Sequence, residues 1–209
     1  MIKNIIWDFD GTLIDTYPLM IKAFKIALEE KNVSANESEI EKLLKISSEH
    51  AISYYQMDDS FKKIWKDEEK KVSKEFSKPF ENVIDVLKYV ISKGGKNYIV
   101  THRDITTYDF LKYYNMENYF EDILTIEEAE FRKPNDNMFK KLILRNNINV
   151  ETTLSVGDRI LDLIPSMNVG LLTCYYNNEN REIDFSPDYT IFEYGELLEI
   201  LKNKNKYVL

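Results

Sequence analysis

Cysteine is nearly absent from this chain of 209 residues, which contains one, Cys174. No disulfide can form within the chain, and the apolar run from Gly170 to Tyr175 predicts a thiol buried in a strand. Because burial in apolar surroundings raises the pKa of a thiol and keeps it inert, catalysis by Cys174 is disfavoured.

Long hydrophobic runs and blocks of positive charge are also missing. No apolar stretch approaches the roughly 20 residues of a membrane-spanning helix, and the first residues lack the hydrophobic region of a signal peptide. The formal net charge is −8 and the sequence pI about 5.0, a balance that repels duplex nucleic acid and anionic membranes. We therefore expect a cytoplasmic protein that binds neither nucleic acid nor membranes. The sequence does not indicate its oligomeric state.

The most informative stretch covers residues 5 to 11 and reads IIWDFDG. Side chains two residues apart on a strand project to the same side, which pairs Asp8 with Asp10, and Gly11 lets the backbone turn where the strand ends. Two acids at a strand end can share a cation. An Asp-Gly pair after an apolar run also marks an ordinary turn, so this stretch alone does not decide the function.

Three further polar points follow in order: Thr101 after a β-prone stretch, Lys133 before a proline, and a Gly-Asp pair ending in Asp158 with Asp162 four residues later. Together with the first stretch they resemble the four motifs of the haloacid dehalogenase superfamily of phosphohydrolases: DxDGT, a Thr or Ser at a strand end, a Lys, and GDxxxD. The resemblance covers nearly the whole chain.

The resemblance implies a Mg²⁺-dependent phosphomonoester hydrolase that acts on a small phosphorylated metabolite. Asp8 would be the nucleophile and form an aspartyl-phosphate, while Asp10 would protonate the leaving group and then activate water. The dehalogenase and phosphonatase branches of the family carry no acid at the second position, so Asp10 favours phosphate esters.

The same resemblance assigns the metal ligands. Mg²⁺ prefers hard oxygen ligands, and those expected are Asp8, the backbone carbonyl of Asp10 and Asp158. Gly11 and Asp162 would support the site, Asp162 by contacting a metal-bound water or by orienting the catalytic lysine. Asp158 would equally suit a simple helix N-cap.

Three residues are predicted to bind the phosphate: Thr101 through its hydroxyl, His102 through its amide, and Lys133 as a point charge. Each has a plainer reading. A threonine at a strand end is common, and a lysine beside a proline is usually solvated. The side chains of His102 and Arg103 would face either the substrate or the rim of the site.

Strand-like and helix-like segments alternate, which predicts an α/β fold with a Rossmann-like parallel sheet core flanked by helices. Helices are expected at Phe80–Lys93 and after Pro134. The predicted strands are Asn4–Asp10, Asn97–Thr101, Ile123–Ile126, Thr153–Gly157, Leu171–Tyr175 and, more weakly, Tyr189–Phe192. Ligands of such sheets collect at the carboxyl ends of the strands.

Residues 17–79 contain no glycine and carry apolar residues at helical spacing. They predict an all-helical cap domain inserted into a core domain of residues 1–16 and 80–209. A cap at this place resembles the group that contains phosphoglycolate phosphatase and β-phosphoglucomutase.

Two other functions share these motifs. A sugar-phosphate mutase or phosphotransferase would pass the phosphoryl group to a hydroxyl, and a non-catalytic binding paralogue would keep only the fold. The latter would be expected to lose a charged motif residue, yet all are present. Arg159 and Asp136 depart from the family pattern at positions that carry no phosphoryl chemistry in the family. Substrate choice is open.

Overall fold

The computed structural model describes residues 1–204, which divide into two compact units. The core unit comprises Met1–Ile14 and the chain from Pro79 onwards, and the helical unit comprises Asp15–Lys78. The strands are β1 Asn4–Trp7, β2 Ile14–Asp15, β3 Lys78–Pro79, β4 Asn97–Val100, β5 Phe120–Leu124, β6 Thr153–Gly157, β7 Leu172–Tyr176 and β8 Tyr189–Ile191.

The α-helices are α1 Tyr17–Glu30, α2 Glu37–Ile46, α3 Ser48–Tyr54, α4 Asp59–Lys71, α5 Val83–Ser92, α6 Thr106–Tyr113, α7 Asn137–Asn146, α8 Ile160–Asn168 and α9 Tyr194–Lys204. Short 3₁₀ turns lie at Lys74–Phe76, Glu117–Tyr119, Ile126–Glu128 and Val150–Thr152. None of the helices within residues 1–204 has both the length and the apolar character to cross a bilayer.

Six strands of the core unit form one parallel sheet in the order β5-β4-β1-β6-β7-β8. The α/β fold predicted from the sequence is confirmed. Strands β4 and β6 flank β1 on either side and are buried along their whole length. Because the pairing is parallel, the carboxyl ends of these three central strands meet at one edge, where ligands of such sheets bind.

Helix α7 covers part of the sheet through a narrow apolar stripe. Met138, Phe139 and Leu142 are buried against Ile6 and Val100 of the central strands. Their spacing of one, three and four residues places all three on one helical face. Helix α7 is thus packed against strands β1 and β4.

The helical unit has its own apolar core, centred on Phe24 of α1. The Phe24 ring makes edge contacts with the rings of Phe61 and Trp65 at centroid distances of 4.9 and 5.1 Å. The indole Nε1 of Trp65 donates to the carbonyl of Met20 at 3.2 Å, which satisfies the one polar atom of this aromatic group.

Candidate active site

Asp8, Thr101 and Asp158 each follow a central strand directly, β1, β4 and β6 respectively. The amide of Asp8 still donates to the carbonyl of Val156 at 2.9 Å, so its backbone is fixed by the neighbouring strand. Gly11 has a φ of +76°, the left-handed region in which a side chain would be strained. The turn that the sequence predicts after Asp10 therefore depends on this glycine.

The ammonium group of Lys133 lies at the centre of the cluster. Its Nζ donates to Asp8 Oδ1 at 2.7 Å, to Asp162 Oδ1 at 2.7 Å and to the carbonyl of Val100 at 2.8 Å. These three bonds use all the donors of an ammonium group. Lys133 therefore fixes the carboxylate of Asp8, and it acts on any bound anion through its charge.

The pair of Lys133 and Asp162 is held in its charged form. Burial opposes the charge on Lys133, but the carboxylates of Asp162 and Asp8 outweigh burial and raise the pKa of the lysine. Burial would likewise raise the pKa of Asp162, but the charges of Lys133 and Arg159 outweigh it and lower that pKa. The charged pair thus joins Asp162 directly to the ammonium group of Lys133.

For Asp8 and Asp158, burial outweighs the nearby positive charges and raises the pKa. Burial, reinforced by the nearby Asp162 carboxylate, raises the pKa of Asp8 to about 7 despite the charges of Lys133 and Arg159. Burial also raises the pKa of Asp158 to about 6, although Arg159 opposes it. Both carboxylates thus lie where a further positive charge would stabilise their ionised forms.

The donor set of this cluster fits Mg²⁺. Carboxylate oxygens of Asp8, Asp158 and Asp162 lie within 4.8 Å of one another. Two of the buried oxygens, Asp8 Oδ2 and Asp162 Oδ2, accept no hydrogen bond from residues 1–204. Hard oxygen atoms at this spacing, two of them without a hydrogen bond, are the kind of ligand that Mg²⁺ takes in proteins.

Two arginines lie beside these carboxylates. The guanidinium of Arg159 approaches Asp8 Oδ2 at 3.9 Å, Asp158 Oδ1 at 3.8 Å and Asp162 Oδ2 at 3.5 Å. Arg181 donates from Nη2 to the carbonyl of Asp158 at 3.1 Å and lies 3.7 Å from its Oδ2. Arg159 departs from the family pattern, and no motif or spacing in the sequence gives a signal for Arg181.

Asp158 does not cap helix α8. The N-cap position belongs to Arg159, and its side chain makes no capping bond. The carboxylate of Asp158 instead accepts from the hydroxyl of Thr12 at 3.3 Å. The reading of Asp158 as a simple helix cap is therefore wrong.

In the loop that follows β4, Thr101 and His102 make different hydrogen bonds. The Thr101 hydroxyl oxygen accepts from the amide of Arg103 at 3.0 Å, which is compatible with donation of its hydrogen to a phosphoryl oxygen. His102 Nε2 accepts from the backbone amide of Lys133 at 2.7 Å. Burial and the charges of Lys133 and Arg132 lower the pKa of His102 to about 2, so this ring is neutral and supports the lysine loop.

Asp10 lies two residues after Asp8 but has a different partner. Its Oδ1 accepts from Nε of Arg103 at 2.7 Å, and its side chain is 16% exposed whereas that of Asp8 is 2% exposed. The two acids that the sequence pairs thus have separate environments.

The chain matches a family of known proteins. The model of the haloacid dehalogenase-like hydrolases matches residues 5–175. Among curated proteins, the pyrophosphatase PpaX of Halalkalibacterium halodurans is 26% identical over 96% of this chain and 97% of that protein. The pyrophosphatase PpaX of Bacillus cereus strain ATCC 10987 is 25% identical over 98% of this chain and 99% of that protein.

Solved structures share the fold. A protein of Haemophilus somnus described as a predicted phosphoglycolate phosphatase superposes with a TM-score of 0.82 at 20% identity, over 96% of this chain and 98% of that one. A haloacid dehalogenase-like family hydrolase of Streptococcus pneumoniae gives a TM-score of 0.82 at 20% identity and the same coverage. At these identities the likeness concerns the fold alone.

Proposed function

The chain belongs to the haloacid dehalogenase-like hydrolases, and from this premise we propose that it is a Mg²⁺-dependent phosphatase of small phosphorylated metabolites. The reaction proceeds through an aspartyl-phosphate on Asp8. The observation that carries the proposal is the single ammonium group of Lys133, bonded at 2.7 Å to both Asp8 and Asp162 in a buried cluster.

The residues divide the chemistry between them. Lys133 fixes the orientation of Asp8, which favours in-line attack on a phosphoryl group. The Thr101 hydroxyl binds a non-bridging oxygen, and Asp10 protonates the leaving oxygen and then accepts a proton from the attacking water. We also propose that the backbone amide of His102 donates to the phosphate. The ring of His102 accepts from the backbone amide of Lys133 and holds it in place.

The charges of the cluster support a metal and an anionic substrate. Three carboxylates (Asp8, Asp158 and Asp162) face three cations (Lys133, Arg159 and Arg181). Mg²⁺, held by Asp8, Asp158 and the backbone carbonyl of Asp10, would neutralise phosphoryl oxygens. The bound ion would leave a net positive site, which suits a phosphate dianion.

Inorganic pyrophosphate is a second candidate substrate. Two relatives that match nearly the whole length of this chain are named pyrophosphatases. In addition, Arg159 and Arg181 place two guanidinium groups at the cluster, and guanidinium is the side-chain group best suited to phosphate oxygens. Pyrophosphate carries more negative charge than a monoester, so it would gain more from these arginines.

A phosphate-release screen with and without Mg²⁺ tests both candidates. The substrates are sugar phosphates, phosphoglycolate, nucleoside monophosphates and pyrophosphate, and the blank is Asp8→Asn. We expect metal-dependent release that the blank abolishes, and Asp10→Asn should be slower by about 10²-fold or more on alkyl esters. Full activity of Asp8→Asn would overturn the proposal, and formation of a phospho-protein without phosphate release would indicate a transferase.

Arg181→Met separates the two substrates. If pyrophosphate is the substrate, this change should lower kcat/KM for pyrophosphate by about tenfold, as expected for a lost charged hydrogen bond, and change the value for monoesters much less. The matched control is Arg145→Met, because Arg145 also pairs with carboxylates but on the surface, with Asp122 and Glu128. Equal losses on both substrates would remove pyrophosphate as the favoured candidate.

A further inference from the structure

We propose that Arg103 is the positioning residue of Asp10, holding its carboxylate where it exchanges a proton with the leaving group and with water. This inference rests on the proposed function. The ion pair joins Nε of Arg103 to Oδ1 of Asp10 at 2.7 Å. The arginine side chain is 6% exposed, so the bond forms largely out of water, where charge-assisted hydrogen bonds are strongest.

Arg103 is itself fixed before it reaches Asp10. Its amide donates to the Thr101 hydroxyl at 3.0 Å, and its carbonyl accepts from the amide of Ile126 at 3.2 Å. The guanidinium lies 4.8 Å from the ring centroid of Phe110, a cation–π distance. A side chain held at both its backbone and its guanidinium loses little entropy in making the ion pair.

The pair connects two neighbouring strands of the sheet. Asp10 follows β1 and Arg103 follows β4, and these strands are hydrogen-bonded along residues 5–7 and 97–99. Arg103 also lies two residues after Thr101, which is proposed to bind the phosphate. One short loop thus sets both a phosphate contact and the place of the proton-transferring carboxylate.

Position matters for this carboxylate in particular. A general acid must come within hydrogen-bond reach of the oxygen that it protonates, and a displacement of about 1 Å can lower a rate by about 10²-fold. Asp10 is more exposed than Asp8, so fewer atoms surround it and restrict its rotamer. Arg103 supplies that restriction through a bond of defined direction.

The test uses leaving groups of different basicity. A poor leaving group such as an alkoxide needs a proton from the general acid, whereas p-nitrophenolate departs without much help. We expect Arg103→Met to lower kcat/KM for alkyl phosphates by about tenfold to hundredfold and for p-nitrophenyl phosphate by only a few fold. Arg103→Lys, which keeps the charge and can still donate to a carboxylate, should recover part of the loss.

A double-mutant cycle with Asp10 completes the test. In an Asp10→Asn background the change Arg103→Met should add no further dependence on the leaving group, since the group that it positions is gone. Arg145→Met is the control for loss of an arginine–carboxylate pair elsewhere in the core unit. Thermal denaturation identifies any variant that fails to fold, in which case Arg103→Lys and Arg103→Gln carry the comparison.

Two results would overturn the inference. One is an equal loss with every leaving group, which indicates a structural or substrate-binding role. The other is a gain in rate, which indicates that the ion pair with Arg103 keeps the Asp10 carboxylate away from the reacting oxygen. Failure of the proposed function is distinguishable, because then the parent protein would show no release above Asp8→Asn with any leaving group.

Discussion

His102 illustrates how a residue of the predicted site can act through its neighbour. Its Nε2 accepts the backbone amide of Lys133 at 2.7 Å, so that nitrogen carries no proton. Burial first, and then the charges of Lys133 and Arg132, lower the pKa of the ring to about 2. In the folded protein the ring is therefore neutral throughout the pH range in which an unfolded histidine becomes charged.

This difference predicts how stability depends on pH. Below the unfolded pKa of about 6.5 the unfolded chain takes up a proton that the folded ring refuses, so His102 lowers stability as the pH falls. Relative to His102→Gln, which keeps an acceptor, the parent protein should lose about 1.4 kcal/mol of unfolding free energy per pH unit below about pH 5.5. Urea denaturation between pH 4.5 and 7.5 measures this, and parallel curves would contradict it.

Arg159 predicts an effect on metal affinity. Its guanidinium lies within 4 Å of all three carboxylates of the cluster, where its charge repels a divalent cation. Arg159→Ser should therefore bind Mg²⁺ roughly tenfold more tightly, the scale of one screened charge at this distance. Arg159→Lys, which keeps the charge, is the control.

Titration calorimetry with the metal alone, together with the shift in melting temperature on adding Mg²⁺, gives the affinity without reference to activity. Tighter binding by Arg159→Ser together with a lower melting temperature of its metal-free form is the expected pair of results. Unchanged or weaker binding would show that Arg159 does not oppose the ion.

At the scale of elements, the junction of β6 and α8 depends on Gly157. A Cβ built on this residue would lie 2.6 Å from the Cβ of Asp162, closer than real side chains approach. Gly157→Ala must therefore displace the first turn of α8, and with it the carboxylate that accepts from Lys133. We expect a loss of about 1 to 3 kcal/mol of stability and a clear loss of phosphate release.

The matched control for that change is Gly195→Ala. Gly195 lies in α9, and its added Cβ would meet only the end of the Glu193 side chain, at 3.3 Å. Alanine favours helix over glycine by up to about 1 kcal/mol, so this variant should be as stable as the parent or more so. Equal behaviour of the two variants in thermal denaturation and phosphate release would disprove the role of Gly157.

The elements themselves could be predicted closely where burial alone defines them. Strand β6 spans Thr153–Gly157 as predicted, because both of its faces are buried. Strand β5 begins at Phe120 rather than Ile123, since an edge strand pairs through its backbone and tolerates polar residues such as Glu121. Helix α5 begins at Val83 because Asn82, with a φ of +63°, stands in the left-handed region.

At the scale of the whole molecule, the sheet order explains which site residues could be predicted. Asp8, Thr101 and Asp158 stand at ends of adjacent parallel strands, so a pattern of polar residues after apolar runs locates them in advance. Arg181 belongs to a loop beyond β7 and reaches Asp158 only through the tertiary fold. The ion pair of Arg103 and Asp10 also joins loops that are far apart in the sequence, so periodicity along the chain cannot predict it.

The two-unit organisation predicts that the core unit folds and binds a metal ion without the helical unit. Every residue of the candidate site lies in the core unit, and the helical unit has a separate apolar core. The chain leaves and re-enters the core unit at one place, where the amide of Phe80 donates to the carbonyl of Leu13 at 3.2 Å. A short flexible linker of Gly and Ser can therefore replace residues 16–78 without a long span to bridge.

The shortened protein should unfold cooperatively and bind Mg²⁺ with an affinity within about threefold of the full chain, because every predicted metal ligand belongs to the core unit. Circular dichroism follows the unfolding and calorimetry measures the ion, with Asp158→Asn in the same background as the control that should lose binding. A folded protein that binds no metal would show that the carboxylate cluster needs the helical unit. The deletion removes no strand of the six-stranded sheet. An unfolded protein would therefore show that the core unit cannot fold without the helical unit.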